Sequence, residues 1–420
     1  MLVRYSRAMK TFFIVAGVLF LLLLGYAGFT YIKQDPPDVL VQTVTNLEEP
    51  PPLPQGDRAP LEVPEGFVAT IFSREVTGAR DMIRDPKGVL LVSLMSEGKV
   101  VALPDLDSSG VADRAVTVLE NLRQPHGLAV RCASTGFESA DQDDCTLYVA
   151  ETNAVVAYAY DADTYTTRDG RVLAELPYGD GHYTRSLLLH PDGQQLLVAV
   201  GSSCNVCVED DERRAAILSL DLATNELAPY ATGLRNSVFL ATDPVTGEVW
   251  ATDNGRDLLG DDIPPDEVNV IVQGSDYGWP YCYGQKVHDE DFDPQGERTC
   301  ADTIAAQINL QAHSAGLGLA FIPEEGWPEE MRLDLLVAYH GSWNRSVPTG
   351  YKVVRFDLSP TGARSAQSGP QDFLTGFLET NDPDEAIGRP VAILAEPGGV
   401  AYISDDRAGA IYRISRTDME

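Results

Sequence analysis

From residue 66 onward the apolar positions come in short runs bounded by Gly, Pro, Asn and Asp clusters, and almost nowhere at the 3.6-residue spacing of a helix face. One unit recurs six times: a turn, a strand, a polar loop, a second strand. It is seen in GVLLVSLMSEGKVVAL (88–103), CTLYVAETNAVVAYAYD (145–161), GQQLLVAVGSS with AAILSLDL (193–222), GEVWATDNG with DEVNVIVQG (247–274), DLLVAYHGSW with YKVVRFDL (334–358) and GGVAYISDDRAGAIYRI (398–414). The repeat averages about 58 residues, longer than a minimal four-stranded blade, so the surplus lies in loops. The pattern predicts an all-β fold, a six-bladed β-propeller, with GFVATIFS (66–73) completing the last blade. A β-sandwich accounts for the strands but not for the recurrence.

Ahead of the repeats the pattern changes. Phe12–Ile32 is a run of 21 residues without a charge, preceded by Arg4, Arg7 and Lys10. About 20 apolar residues span a bilayer core. Residues 1–33 are therefore expected to be one transmembrane helix, an uncleaved anchor; a signal peptide has a shorter core, and Gly25-Tyr26-Ala27 is a poor cleavage site. The basic flank places the N-terminus in the cytoplasm and the rest on the periplasmic side of a bacterial-type cytoplasmic membrane. Residues 34–60, with seven prolines, read as an extended linker, and residues 61–420 as the catalytic propeller domain.

Removing residues 1–33, with four basic and no acidic groups, leaves 27 basic against 63 acidic residues, a charge of −36. Such a domain repels nucleic acid. The six cysteines fall in sequence pairs, Cys132/Cys145, Cys204/Cys207 and Cys282/Cys300, which suits disulfides in an oxidising compartment. Cys204-x-x-Cys207 is also the spacing of a redox dithiol or half a zinc site, but no second such pair stands near it.

In a propeller, the residue before each innermost strand and the residue after its neighbour meet at one channel mouth. The entries are Arg80, His126, His182, Arg235-Asn236, His313 and Arg389. The exits include Glu151-Thr152-Asn153, Ser202–Asn205, Asp253–Arg256, His340–Arg345 and Asp405–Arg407. A ring of Arg and His inside so acidic a domain suits a bound polyanion or an oxyanion formed in reaction. The acidic loop 253–269 offers carboxylates and glycine carbonyls of the kind calcium takes, without EF-hand spacing. His182, beside Arg235, is the best general base.

The same residues carry a family resemblance. GHYTRSLLLHPDG (181–193), the run from Thr232 to Gly284 with its SDYGWP segment, HSAGLGLAFIP (313–323), HGSWNR (340–345) and GRPVAI (388–393) resemble the glucose/sorbosone dehydrogenase family, nearest the L-sorbosone dehydrogenase-like branch. Its members are soluble six-bladed propellers that use pyrroloquinoline quinone (PQQ) with Ca²⁺ to oxidise aldoses. The resemblance implies that His182 removes the sugar hydroxyl proton as hydride passes to the quinone. It implies that Arg235 and Asn236 contact the quinone oxygens, Arg389 a cofactor carboxylate, and the carbonyls of Gly255 and Arg256 the calcium. Arg256 replaces a proline of the glucose-oxidising members, Arg345 is a candidate substitute for a lysine, and His126 and Gln124 compete for a further cofactor contact. A sugar or sugar aldehyde is the implied substrate, with a quinone or cytochrome as the acceptor. Two other readings keep the fold: a calcium-dependent lactonase-type hydrolase, drawing on Glu151, Asn153, Asn205 and Asp253, and a non-catalytic binding propeller.

Overall fold

The computed structural model describes Leu53, Gly56 and residues 58–132, 145–360 and 364–417. The expected membrane anchor and nearly all of the linker lie outside the described residues, and among those described no helix is long and apolar enough to cross a membrane.

The described residues form six four-stranded antiparallel sheets and one extra two-stranded hairpin. Blade one is Ala79–Arg84, Leu90–Leu94, Lys99–Leu103 and Val116–Leu119. Blade two is Leu128–Cys132, Cys145–Glu151, Ala154–Asp161 and Thr166–Glu175, and blade three is Arg185–Leu189, Gln195–Val200, Ala216–Asp221 and Leu227–Thr232. Blade four, Ser237–Thr242, Val249–Asp253 and Glu267–Ile271, takes its outer strand from the distant Ile308–Asn309. Blade five is Gly316–Phe321, Leu335–Tyr339, Lys352–Phe356 and Gln371–Leu374. Blade six, Pro390–Glu396, Val400–Asp405 and Ala410–Arg416, is finished by Phe67–Ser73 from the other end of the domain, as the sequence predicts.

The first strands of successive blades neighbour one another all the way round, and the first strand of blade six meets that of blade one. The second strands are the most deeply buried; Leu90–Leu94, Val249–Asp253 and Leu335–Tyr339 expose none of their residues. They read as nearly continuous apolar runs because both faces of each blade pack against a neighbour. Where inner strands converge, side chains must yield to backbone. A Cβ on Gly127 would stand 2.3 Å from the Leu187 amide nitrogen, and the Gly127 N–H instead donates to the Arg185 carbonyl at 2.8 Å. Trp327 seals the closure, with its indole donating to the Glu396 carbonyl at 2.8 Å and its ring 5.5 Å from that of Phe67.

The cysteines pair as neighbours in sequence: Cys132–Cys145, Cys204–Cys207 and Cys282–Cys300 are all disulfides. Cys282–Cys300 staples the insertion of blade four, which carries the extra hairpin. The second reading of the Cys-x-x-Cys motif, an open metal or dithiol site, gives way to the disulfide.

Candidate active site

Strand register builds the site. The start of each inner strand pairs with the end of the second strand, Arg185 with Val200, Ser237 with Asp253, Gly316 with Tyr339 and Pro390 with Asp405. Entry and exit loops of blades three, four and five therefore surround one cavity of about 170 Å³. His182, Arg235, Asn236 and His313 from the strand entries line it together with Asn254, Gly255, Trp343 and Asn344 from the exits and Asp257 and Asp266 from the acidic loop.

His182 is fixed at both backbone and ring. Its amide donates to the Ser202 carbonyl at 2.9 Å, and its Nδ1 lies 3.2 Å from that carbonyl and 3.0 Å from Ser202 Oγ. Because Ser202 Oγ donates onward to the Cys204 carbonyl at 2.7 Å, both Ser202 oxygens accept from the ring. That assigns the proton to Nδ1 and leaves the Nε2 lone pair without a partner among the described residues. Desolvation first, and then the positive charge of Arg235, holds the imidazole pKa down at about 3, so the ring is neutral at any ordinary pH. Close approach is made possible by Gly201, where a Cβ would lie 2.5 Å from Asn236 Oδ1 and 2.6 Å from His182 Cβ.

Arg235 is buried with its guanidinium largely committed. Nε donates to the Asn205 carbonyl at 2.9 Å, Nη1 to the Asn254 carbonyl at 3.1 Å, and Nη2 to Asn205 Oδ1 at 2.9 Å and Asp257 Oδ2 at 3.2 Å. Four of the five N–H donors of an arginine are thereby used, and one on Nη1 remains. Asp257 also accepts from Asn344 Nδ2 at 3.0 Å. Asp266 accepts the amides of Gly255 at 3.0 Å and Ala315 at 2.8 Å, and burial pushes its carboxyl up to about 7. His313 is held by the Gly260 and Ile263 carbonyls at 2.9 and 3.1 Å.

The cavity wall has a surplus of acceptors. The side-chain oxygens of Asn236, Asn254 and Asn344 are buried and make no hydrogen bond among the described residues. Unpaired buried oxygens are costly unless a donor or cation meets them. With the carboxylates of Asp257 and Asp266 close by, the set suits a hard cation such as calcium. The free Nη1 donor of Arg235 and the neighbouring Asn236 suit an anionic or carbonyl group beside that cation, so the residues present fit a calcium-linked quinone carboxylate.

Other residues expected at the site stand elsewhere. Arg389 donates to the carbonyls of His340 at 3.1 Å and Gly341 at 2.8 Å. It joins a separate array in which Asp406 accepts from Arg80 at 2.8 Å and pairs with His340 Nε2 at 2.9 Å. Burial would raise Asp406, but His340, Arg80 and Arg389 outweigh it and hold the carboxyl well below its ordinary range. Burial and Arg389 in turn lower His340 to about 4. His126 is fully buried in the channel, its Nε2 3.4 Å from Arg80 and its Nδ1 3.3 Å from Ser186 Oγ, and it does not reach the cavity wall. Arg345 is drawn off by the acidic loop, donating to the Asp261 and Ala312 carbonyls and to Asp262 Oδ1. The Arg256 side chain turns to Asp289 at 2.8 Å and lines an adjoining cleft. Asn254 and Asn344 were placed at the strand exits by the sequence but given no role there, because an asparagine carries no chemical signal until its oxygen is seen unpaired at the cavity.

Comparison with known proteins follows the same lines. A family model described as TrAA12-like matches residues 61–417. An uncharacterised protein of Borreliella burgdorferi is 31% identical, the match covering 84% of this chain and 90% of that one. A pyrroloquinoline quinone-dependent sugar dehydrogenase of Hypocrea jecorina is 25% identical over 84% of this chain and 89% of its own. Among solved structures, the holo PQQ domain of a Coprinopsis cinerea pyranose dehydrogenase superposes with a TM-score of 0.72 at 22% identity, covering 88% of this chain and 100% of that one. A calcium structure of a Trichoderma reesei family AA12 enzyme gives a TM-score of 0.71 at 23% identity, covering 85% and 97%. At these identities the solved structures establish the six-bladed fold.

Proposed function

The chain belongs to the TrAA12-like family, and from that premise we propose that it is a PQQ-dependent sugar dehydrogenase in which His182 takes the substrate hydroxyl proton beside a calcium-linked cofactor. The observation that carries the reading is the neutral His182, proton fixed on Nδ1 by Ser202, in a cavity shared with Arg235 and three unsatisfied carboxamide oxygens.

When bound, PQQ with calcium supplies a two-electron acceptor for the hydride leaving the sugar carbon. Arg235 and Asn236 would hold the quinone side. The backbone carbonyls of Gly255 and Arg256 and the carboxamide oxygens of Asn236, Asn254 and Asn344 would hold the calcium, with Asp257 and Asp266 supplying negative charge. His182 accepts the hydroxyl proton at Nε2, and the Nδ1 bond to Ser202 keeps that lone pair in one orientation. Burial and Arg235 both disfavour an imidazolium here, which keeps the resting ring neutral and able to accept. Trp343, 44% exposed at the rim, offers an aromatic face to a sugar ring.

Arg389 and Arg80 lie in the next array and suit a more distant cofactor carboxylate. Arg345, whose Nη1 and Nη2 are drawn to the acidic loop and Ala312 while its Nε finds no partner among the described residues, and His126, held between Arg80 and Ser186, are poorer contacts. Asp253, which the hydrolase reading needs as a ligand, instead accepts from the amides of Arg235 and Asn236 at 3.1 and 2.7 Å. The three disulfides support an oxidising compartment. The anchor at residues 1–33, the linker at 34–60, a periplasmic domain and a quinone or cytochrome acceptor complete the proposal on sequence grounds.

The test is titration of the purified full chain with PQQ, with and without calcium, followed by dye reduction on a panel of aldoses. Calcium-dependent PQQ uptake and aldose-driven dye reduction, lost in His182→Ala, are the expected outcome. Absence of PQQ binding in the presence of calcium would overturn the reading.

A further inference from the structure

The Cys204–Cys207 loop is unused by the mechanism as derived, yet it touches both principal residues of the site. Asn205 lies between the two cysteines of this loop, which closes across a separation of three residues. Its Oδ1 accepts from Arg235 Nη2 at 2.9 Å and from the Asp257 amide at 2.8 Å. Its carbonyl accepts from Arg235 Nε at 2.9 Å, and its Nδ2 donates to the Asp257 carbonyl at 3.2 Å. One side chain therefore grips a guanidinium and the backbone of the carboxylate residue that pairs with it.

The same loop also reaches His182. Ser202 Oγ donates to the Cys204 carbonyl while accepting from the His182 ring, so the first half-cystine orients the hydroxyl that, together with the Ser202 carbonyl, holds the histidine. The base and the cation come from the starts of different blades, and each would swing on a flexible loop. A ring of four residues closed by a disulfide has few conformations, and a site needs its supporting groups locked to well under an ångström.

We propose that the loop 202–207 is the positioning element of the active site, with Asn205 the positioning residue that aims Arg235 and keeps it from collapsing fully onto Asp257. The catalytic consequence rests on the PQQ reading above; the clamp itself does not. With the Asn205 side chain gone, one Nη2 donor of Arg235 and the Asp257 amide lose their acceptor, while Nε keeps only the backbone carbonyl of a loop no longer tied to residue 257, and the guanidinium is free to reorient toward the carboxylate and solvent.

The experiment compares the full chain with Asn205→Ala and with the double variant Cys204→Ser/Cys207→Ser. Phenylglyoxal modification of Arg235 in cofactor-free protein, followed by peptide mass spectrometry, reads the clamp directly. Labelling of Arg364, an arginine buried far from this loop in sequence, reports any general loosening. The PQQ dissociation constant in calcium, read by quenching of tryptophan fluorescence, reads the consequence. In both variants Arg235 is expected to label several-fold faster while Arg364 stays slow, and PQQ affinity to fall on the order of tenfold or more, as loss of hydrogen bonds to a charged group implies. Unchanged Arg235 labelling in both variants overturns the clamp. Faster labelling with PQQ affinity intact keeps the clamp but overturns its role as the positioning element of the active site. A wild-type chain that takes up no PQQ sinks the functional reading instead, and the labelling alone then decides the clamp.

Discussion

Ser202 presents two acceptors to a single ring nitrogen of His182, its carbonyl oxygen at 3.2 Å and its hydroxyl oxygen at 3.0 Å. The redundancy makes the tautomer robust, since either oxygen alone keeps the proton on Nδ1. Ser202→Ala is therefore expected to lower kcat by less than about tenfold, the typical worth of one such bond. His182→Ala should lower it by roughly 100-fold or more, the usual contribution of a positioned general base. Steady-state rates on one aldose distinguish the two; equal losses would show that the carbonyl does not hold the ring.

Gly201 packs against both His182 and Asn236. Gly201→Ala places a Cβ 2.5 Å from Asn236 Oδ1 and 2.6 Å from His182 Cβ, so both must move. A displacement of about 1 Å at reacting groups costs on the order of 100-fold in rate. The expected result is a large fall in kcat/KM at a melting temperature close to that of the wild type. Full activity in the variant would mean that neither residue needs its present position.

Acid should loosen the channel array through His340. Its pKa is lowered in the fold from 6.5 to about 4, mainly by burial and then by Arg389. A histidine with a depressed folded pKa contributes its stability above the unfolded value, and that contribution is lost as pH falls from 6.5 toward 4. Each unit of that window is worth about 1.4 kcal/mol. Between pH 7 and pH 5 the wild type should thus lose about 2 kcal/mol through this one group. Thermal melts of wild type and His340→Gln at both pH values test it; the variant should be less acid-sensitive by that amount. An unchanged difference would show that His340 carries its proton in the folded state.

Arg364 and Asp243 form an ion pair at 3.0 Å with neither side chain exposed, joining blade five to the turn of blade four. Removing one partner of a buried pair strands the other charge, at about 3–5 kcal/mol. Arg364→Ala is expected to lower the melting temperature by many degrees, while Asp243→Leu/Arg364→Met recovers much of the loss. A double variant no better than the single one would show that packing, not stranded charge, sets the cost.

The opposed demands on charge explain why the site was only partly legible. His182, Arg235, Asn236 and Gly255 could be placed at one mouth from strand order alone, because entry and exit positions in a propeller are fixed by the repeat. Arg345 and His126 occupy the same kind of position, yet they do not reach the cavity. Arg345 has the acidic-loop oxygens of Asp261 and Asp262 within reach, and His126 sits one layer deeper with Ser186 and Arg80. Which partner an arginine takes is a competition among nearby acceptors, and the sequence names the competitors without their distances.

The sequence by itself determined the six repeats, the closure of the last blade by residues 66–73, the neighbouring cysteine pairs and the mouth at which the chemistry collects. These follow from local periodicity, turn residues and chain order, which each segment carries on its own. Only the tertiary structure decided that Asn205 grips Arg235, that Ser202 sets the His182 proton, and that Asn236, Asn254 and Asn344 leave their oxygens unpaired around one cavity. Those relations join loops from different blades, and their geometry exists only once six sheets have packed and water has been excluded from between them.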